Sequence, residues 1–405
     1  MNDQKLKCVF LRRFSQKGSF GGLEALLLDI ASKINFDKVD LTIVVPKNKQ
    51  KSFEERFTPI MNEKIGILEF PYDFNCNVFL RFSRMLKLLN MLKANKVIMF
   101  NGSFFDFSLA DVLASYLVTS GNLIITENSQ IEAPPKKSSK KYWGFIPGVG
   151  FWWYRKIILF KFRHCFCKKI IAVSKGVKKG LVEKWGYPSA KVEVCYHGVD
   201  TAIFKPSVDV KYQMKNYFNI PFENKVFLFL GRLAEEKNPM LAIDAFHDAW
   251  RLRKDIYLLV VGYGDLFETL KTYVESLESR EFIRFMGYQK NVISFLQMSD
   301  VFLMTSKEEA LGISLLQAMS CGLLCISTPC DGPKEIINSN RVGFIVSSDK
   351  EVLSKEISKI LSMDDSNLRN ITLQSRQRIV DSFEYNNAII NEMNAMELPS
   401  NISNT

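Results

Sequence analysis

The sequence predicts an α/β protein made of two Rossmann-like, doubly wound parallel-sheet domains. Three observations carry this. Short β-rich runs alternate with apolar-periodic helical stretches along the chain, the pattern of parallel sheets covered on both faces. The alternation comes in two series, separated by a polar stretch near Pro206. The length of 405 residues suits two or three domains, and 47% hydrophobic with 24% charged residues is a globular composition.

The first series holds the strands "KCVFLRRF", "DLTIVVP", "KVIMFNG", "NLIITE" and "KIIAVS", with the helix "GGLEALLLDIASKI" after the first of them. The second follows "IFKPSVDV" and holds "KVFLFLGR", "IYLLVVG", "FIRFMGY", "VFLMTS", "LLCIST" and "GFIV". Its helices include "MLAIDAFHDAWRL" and "ISLLQAMSCG", the latter ended by Gly322 as a C-cap. The predicted domains are residues 1–205 and 206–380, with a C-terminal helix in 381–405 packing back on the first domain. The last residues, "LPSNISNT", read as a frayed tail.

No run of about 18 apolar residues predicts a transmembrane helix. The opening "MNDQKLKCVFLRRFSQKG" holds an apolar run too short for a secretory signal. A cytoplasmic location is therefore expected, with the eight cysteines as reduced thiols. Cys165-x-Cys167 and Cys321-x3-Cys325-x4-Cys330 have neither a CxxC pair nor a nearby histidine, so no metal site is expected.

Charge is uneven. Residues 1–200 hold 32 Lys/Arg against 17 Asp/Glu, net +15, and the remainder holds 22 against 26, net −4. One half is thus suited to an anionic surface. Between Glu132 and Glu183 no acid occurs, while thirteen Lys/Arg do. Within that run Lys136, Lys137, Lys140 and Lys141 precede Trp143, and Trp152, Trp153 and Tyr154 precede Arg155 and Lys156. Amphipathic aromatics interleaved with cations suit an anionic membrane surface, and peripheral attachment is expected there. The bland alternative is a loop and helix whose aromatics pack on the core.

Ligands of open parallel sheets bind at the carboxyl ends of the strands, and four such ends are unusual. "GSFGGLEALLLDIA" places Gly18, Gly21 and Gly22 ahead of a helix, a spacing that is not a dinucleotide fingerprint. "FLFLGRLAEEKNP" runs into Gly231, Arg232 and Lys237, two cations suited to a diphosphate. "LLVVGYGDLFETL" has Gly262-x-Gly264, only half a phosphate motif since Phe267 stands at the third glycine position, and a simple turn is the better explanation of it. "DVFLMTSKEEALGISLLQAMSCG" places Glu309 before a Gly312 turn, with Gln317 just over two helical turns later on the same side. A carboxylate, a set of turn amides and an amide side chain would suit a sugar nucleotide.

These residues carry a resemblance. "SKEEALGISLLQAMSCG" resembles the S-x-x-E-G-F-G-x-x-x-x-E-A-M-A-x-G signature of glycosyltransferase family four, and "FLGRLAEEKNP" its G-R-x-x-x-x-K-N loop. "YHGVDTAIFKP" is similar to its N-G-V-D-x-x-x-F-x-P segment, with "IIAVSKGVKKGL" matching the strand and helix just before. "STPCDGPKEII" is similar to the G-P-x-E-I stretch of bacterial polysaccharide-synthesis members, and "GSFGGLEALLLDIA" to the first-loop G-G-x-E. The matches run in the family's order from residue 18 to 337.

The resemblance implies the GT-B fold, two such domains facing across a cleft. It implies a retaining hexosyltransferase that moves a sugar from a nucleotide diphosphate, UDP rather than GDP, to a glycan or lipid-linked glycan in lipopolysaccharide or capsule synthesis. Arg232 and Lys237 would hold the diphosphate and Glu309 the sugar hydroxyls. Gly231, with the amides of Gly312 and Ile313, would line the donor; Gln317 would meet the ribose; Gly287 and Tyr288 would lie near the base. Gly21 and Gly22 would lie under the diphosphate from the other domain. No cofactor beyond the donor substrate is implied, and nucleic acid is not an expected partner. Gln317 stands where the family has a second glutamate, and Asn128 where it often has a histidine, which leaves Glu127 with Asn128 as the polar groups on the acceptor side. Two other classes stay open: a catalytically silent sugar-nucleotide-binding protein, and a nucleic-acid-binding protein built on the basic half.

Overall fold

The computed structural model describes residues 5–12, 22–46, 65–70, 78–102, 106–131 and 160–401. The chain divides into two compact units, residues 1–196 with 389–405, and residues 197–388.

Unit 1 is built on a parallel sheet ordered β3-β2-β1-β4-β5-β6-β7. Its strands are β1 (Leu6–Arg12), β2 (Val39–Pro46), β3 (Ile65–Phe70), β4 (Lys96–Asn101), β5 (Leu123–Glu127), β6 (Lys169–Ala172) and β7 (Val192–Val194). The central strands β4 and β5 are buried along their whole length, as expected of continuous apolar runs covered on both faces. Helices α1 (Gly22–Lys33), α2 (Val78–Met91), α3 (Leu109–Val118) and the short α4 (Lys175–Lys179) connect them. Ser108 caps α3 in a reciprocal box with Asp111, whose carboxylate also takes Arg81 of α2 at 2.9 and 2.5 Å. That contact fixes α2 beside α3.

Of the tail read as frayed, residues 398–401 pack into this unit, and 402–405 lie outside the described residues. Asn35 N donates to Pro399 O at 3.0 Å, Asn401 N to Lys33 O at 3.0 Å, and Leu398 is buried. Glu397 pairs with Lys96 at 3.1 Å and Lys168 at 2.7 Å.

Unit 2 is a parallel sheet ordered β10-β9-β8-β11-β12-β13. Its strands are β8 (Lys225–Leu230), β9 (Ile256–Val261), β10 (Ile283–Gly287), β11 (Val301–Met304), β12 (Leu324–Ser327) and β13 (Phe344–Ile345). The helices are α5 (Val208–Tyr217), α6 (Pro239–Leu252), α7 (Phe267–Glu275), α8 (Ile293–Met298), α9 (Ile313–Ser320), α10 (Asp331–Ile336), α11 (Lys350–Leu361) and α12 (Asp365–Ser382), after which the chain enters α13 (Tyr385–Ala395). α11 packs beside α6 around Phe246, Trp250 and Ile357, and α9 packs on α12.

The segment 197–205, placed before the boundary by sequence, lies in unit 2. Val199 N donates to Phe383 O at 2.9 Å, and Arg376 of α12 donates to Thr201 O and Phe204 O, each at 3.1 Å. These bonds join the segment to the helices that end the unit.

In both sheets the strand order reverses at one place, between β1 and β4 and between β8 and β11. At such a switch point the flanking loops leave in opposite directions and open a crevice at the carboxyl edge.

Candidate functional site

The switch point of unit 2 holds the predicted donor residues. β8 is buried through Phe229 and delivers Gly231 to the carboxyl edge, where Gly231 N donates to Val261 O at 3.0 Å. The loop continues through a 3₁₀ turn, Glu235–Lys237, to a left-handed Asn238 (φ 47°), and Pro239 starts α6. Thr305 Oγ1 donates to Asn238 O at 2.8 Å and Lys307 N to Glu236 O at 2.8 Å. The loop after β8 is thereby tied to the loop after β11, and Lys237 comes to Glu309. Their ammonium and carboxylate form an ion pair, with both side chains mostly buried.

Glu309 is held from behind by α10. Gly332 N donates to Glu309 O at 3.2 Å, and a Cβ on Gly332 would lie 2.4 Å from Leu311 Cα. Only glycine permits that approach, which explains the first residue of "GPKEI". Gly312 has φ +104° and starts α9, which carries Ser314 and Gln317 on the side facing Glu309.

A cavity of about 200 Å³ lies here. Gly231, Lys237, Ser306, Glu309, Ser314 and Gln317 supply its polar wall, and Leu230, Val292 and Met304 part of its apolar wall. It is smaller than the roughly 300–1,000 Å³ of a pocket that takes a whole drug-sized ligand, so it has room for one portion of a larger one. Of the expected residues it brings together Gly231, Lys237, Glu309 and Gln317. Arg232, Gly287, Tyr288, Gly312 and Ile313 do not line it. Arg232 is exposed and pairs with Glu236; an exposed pair contributes little stability, about 0–1 kcal/mol, and an anion competes with it readily. Tyr288 is exposed beyond β10. Ser306, which opens the S-x-x-E stretch, and Ser314 were given no role by sequence, because a serine's hydroxyl there shows no partner until the fold is known.

Gly262-x-Gly264 has a steric explanation. Gly262 has φ +142°, and a Cβ there would lie 1.8 Å from Gly231 O; one on Gly264 would lie 2.3 Å from Leu233 O. Gly262 N donates to Gly287 O at 2.8 Å. The two glycines let the loops after β8, β9 and β10 lie in direct backbone contact, and this contact sets the position of Gly231.

In unit 1, Gly22 opens α1, and Glu24 in its first turn meets Arg12 at the end of β1 (2.9 Å to Nε). Gly21 and the membrane-contact residues Lys136, Lys137, Lys140, Lys141, Trp143, Trp152, Trp153 and Tyr154 lie outside the described residues. Glu127, expected to face an acceptor, is fully buried at the end of β5. Its Oε1 accepts from Asn101 Nδ2 at 2.7 Å and pairs with the buried Arg163. Asn128 donates to Asn101 O at 3.0 Å and Thr126 Oγ1 at 2.9 Å. Burial raises the Glu127 carboxyl to about 7, against the lowering effect of Arg163 and Asn101.

Removing one partner of a buried pair leaves an uncompensated charge, at a cost of about 3–5 kcal/mol. Arg163→Met is therefore expected to destabilise unit 1 by about that amount in urea unfolding. The loss should shrink as pH falls. A folded-state value raised above the unfolded one contributes stability at low pH, which is lost as pH rises through the folded value, and removing Arg163 raises it further.

Among the described residues no helix is long and apolar enough to cross a membrane. The seven described cysteines are free thiols.

Comparison with known proteins gives two family matches. Residues 20–203 match the model described as Glycosyltransferase Family 4, and residues 211–378 match Glycosyl transferases group 1. The chain is 28% identical over 198 residues to N-acetyl-alpha-D-glucosaminyl L-malate synthase of Bacillus anthracis, covering 48% of this chain and 51% of that protein. It is 26% identical over 197 residues to UDP-Gal:alpha-D-GlcNAc-diphosphoundecaprenol alpha-1,3-galactosyltransferase of Escherichia coli, covering 48% and 50%. The chain thus spans about half the length of these two curated relatives. Anabaena HepE in complex with UDP superposes with a TM-score of 0.78 at 17% identity, over 97% of this chain and 100% of that one.

Proposed function

The chain belongs to glycosyltransferase family four, its two doubly wound units being those of the GT-B fold, and from this premise we propose that it moves a sugar from a nucleotide-diphosphate sugar, a UDP-sugar, to a lipid-linked glycan with retention at the anomeric carbon. The observation that carries this reading is the convergence of one cation, one carboxylate and one amide on the switch-point cavity of unit 2: Lys237, Glu309 and Gln317. Lys237 supplies a point charge to the diphosphate, and Arg232 can swing in from the surface to fork across its oxygens. Glu309, held by Lys237 and the Gly332 amide, accepts from sugar hydroxyls. Gln317 meets the ribose diol.

These groups stabilise charge that develops on the leaving diphosphate, the term that weighs most when both substrates are already oriented. The leaving phosphate takes the proton of the acceptor hydroxyl, so no side chain need act as base. The burial of Glu127 in an ion pair fits a reaction of this kind.

The preference for UDP is supported by the ligand named for HepE, and the lipid-linked acceptor by the substrate named for the Escherichia coli relative. Attachment at the cytosolic membrane face through the aromatic-basic stretch belongs to the same reading, with cell-surface polysaccharide as the product.

Gln317 gives up the charge-assisted bond a glutamate would make, a difference of about 1–2 kcal/mol. Gln317→Glu is expected to tighten donor binding by about five- to thirtyfold. Glu309→Gln is expected to weaken transfer by more than that, since it also loosens Lys237. Donor affinities in which Glu309 proves dispensable would remove Glu309 from the site.

The deciding assay is donor turnover. Purified chain is incubated with UDP-sugars, with and without a polyprenyl-diphosphate-linked sugar, and UDP release is followed. Release that depends on acceptor supports transfer. Donor binding with no release, not even slow hydrolysis, would make the chain a silent sugar-nucleotide-binding protein.

A further inference from the structure

Three cations of the loops after β8 and β11 in unit 2 are each held by a carboxylate of the same two loops. Lys237 pairs with Glu309, Lys307 with Glu235 at 3.0 Å, and Arg232 with Glu236. The pairs differ in place. Lys237 and Glu309 are mostly buried and both line the cavity, so their pair is part of its wall. Lys307 and Glu235 are exposed and line nothing. Arg232 and Glu236 also line nothing, but each adjoins in sequence a residue that does, Gly231 and Lys237. Their pair therefore stands at the rim of the cavity.

Glu236 is fixed there by its backbone. Lys307 N donates to Glu236 O at 2.8 Å, and Lys237 N closes the 3₁₀ turn on Ala234 O at 3.0 Å. Because the Lys307 ammonium is engaged by Glu235, the Glu236 carboxylate is left to Arg232. Among the described residues, the Arg232 guanidinium has no polar partner except Glu236. The fork of a guanidinium suits a carboxylate and a phosphate by the same geometry, so the donors that hold Glu236 are those that a diphosphate would need.

We infer that Glu236 is an internal counter-ion that competes with the donor's diphosphate for Arg232 and recaptures the guanidinium as UDP leaves. The inference rests on the donor reading above and adds to it the residue that limits how tightly the product is kept. Donor binding is then an exchange, in which phosphate oxygens replace the Glu236 carboxylate on Arg232 and the carboxylate returns to water. With side chains 68% and 40% exposed, the pair exchanges partners readily, and such a pair shifts an equilibrium by at most about fivefold. That is enough to matter where release of product, not chemistry, sets the turnover rate. Lys237 is not subject to the same competition, since its partner Glu309 belongs to the cavity wall and stays beside it.

The test is calorimetric titration of UDP into the full chain, with inhibition of transfer by added UDP as a second readout. Glu236→Gln is nearly isosteric and leaves the bond from Lys307 N to its backbone in place, so a urea midpoint equal to wild type is expected. The variant should bind UDP about two- to fivefold more tightly, mainly through slower dissociation, and be inhibited by UDP at correspondingly lower concentration. A substitution that only loosened the loop would weaken binding, so the sign of the change separates the two roles. Arg232→Ala should weaken UDP binding, and Arg232→Ala/Glu236→Gln should bind as Arg232→Ala does, since the carboxylate then has no guanidinium to hold. Unchanged or weaker binding in Glu236→Gln overturns the inference. So does equal tightening with and without Arg232, which would make Glu236 a diffuse repulsive charge and not a competitor. In both of those cases UDP still binds the wild-type chain and the donor reading stands. UDP that fails to bind the wild-type chain, or binding that Lys237→Ala leaves intact, overturns the donor reading and this inference with it.

Discussion

Lys237→Ala is expected to lower sugar transfer by about 10²–10³-fold, the loss that follows removal of one preorganised group facing developing charge. Lys237 reaches the cavity because two independent ties, Thr305 to Asn238 and Lys307 to Glu236, fix the turn that carries it. Its ion pair with Glu309 sets both side chains before a ligand arrives. The substitution therefore removes the cation and also frees the carboxylate, which would repel a diphosphate. Lys237→Ala/Glu309→Gln separates the two effects: if repulsion matters, the double variant recovers part of the donor affinity that the single variant loses. Transfer rates near wild type in Lys237→Ala would remove the diphosphate from this crevice.

The second large effect is structural. Gly262→Ala is expected to destabilise unit 2 by more than about 3 kcal/mol, through a clash with backbone added to a conformation that L-residues avoid. The new Cβ would lie 1.8 Å from Gly231 O, at φ +142°. Relief requires moving the loop after β8 away from the loop after β9, which displaces Gly231 from the cavity wall. Gly287→Ala is the matched control. Its φ is +64° with open space around the Cβ, so it should cost only about 1–2 kcal/mol. Urea midpoints for the two variants check this, and equal losses would mean that the contact between the loops bears no weight.

The sheet-forming strands were legible in the sequence where both faces are buried. Runs such as "KVFLFL" and "KVIMFN" carry polar residues only at their ends, so nothing inside them breaks the apolar pattern. The strands that escaped notice, β3 and β7, lie at the two edges of the unit 1 sheet. β3 exposes Gly66 and Glu69, and β7 is three residues long with Glu193 exposed. An edge strand buries less, so its sequence is less apolar and its signal weaker.

The cluster that lines the switch-point cavity was legible because its residues sit at strand ends in a local order. Glu309, Gly312 and Gln317 fall within nine residues of one another. The burial of Glu127 was not legible, because its partner, Arg163, stands 36 residues away inside a run of cations. Gly262 looked like a weak phosphate motif because the atom that requires glycine there belongs to Gly231, one strand away. Contacts of that kind are set by sheet order, which no local pattern reveals.

Calorimetric titration of UDP into the chain and into Lys237→Ala tests most directly whether the switch-point crevice of unit 2 is the donor site. Binding to the wild-type chain that is lost in the variant is the expected result, matched by a rise in melting temperature for the wild type alone, since saturation at about 100 times Kd stabilises the folded state by about 2.7 kcal/mol. Equal binding to both proteins, or none to either across uridine, guanosine and adenosine diphosphates, would contradict it.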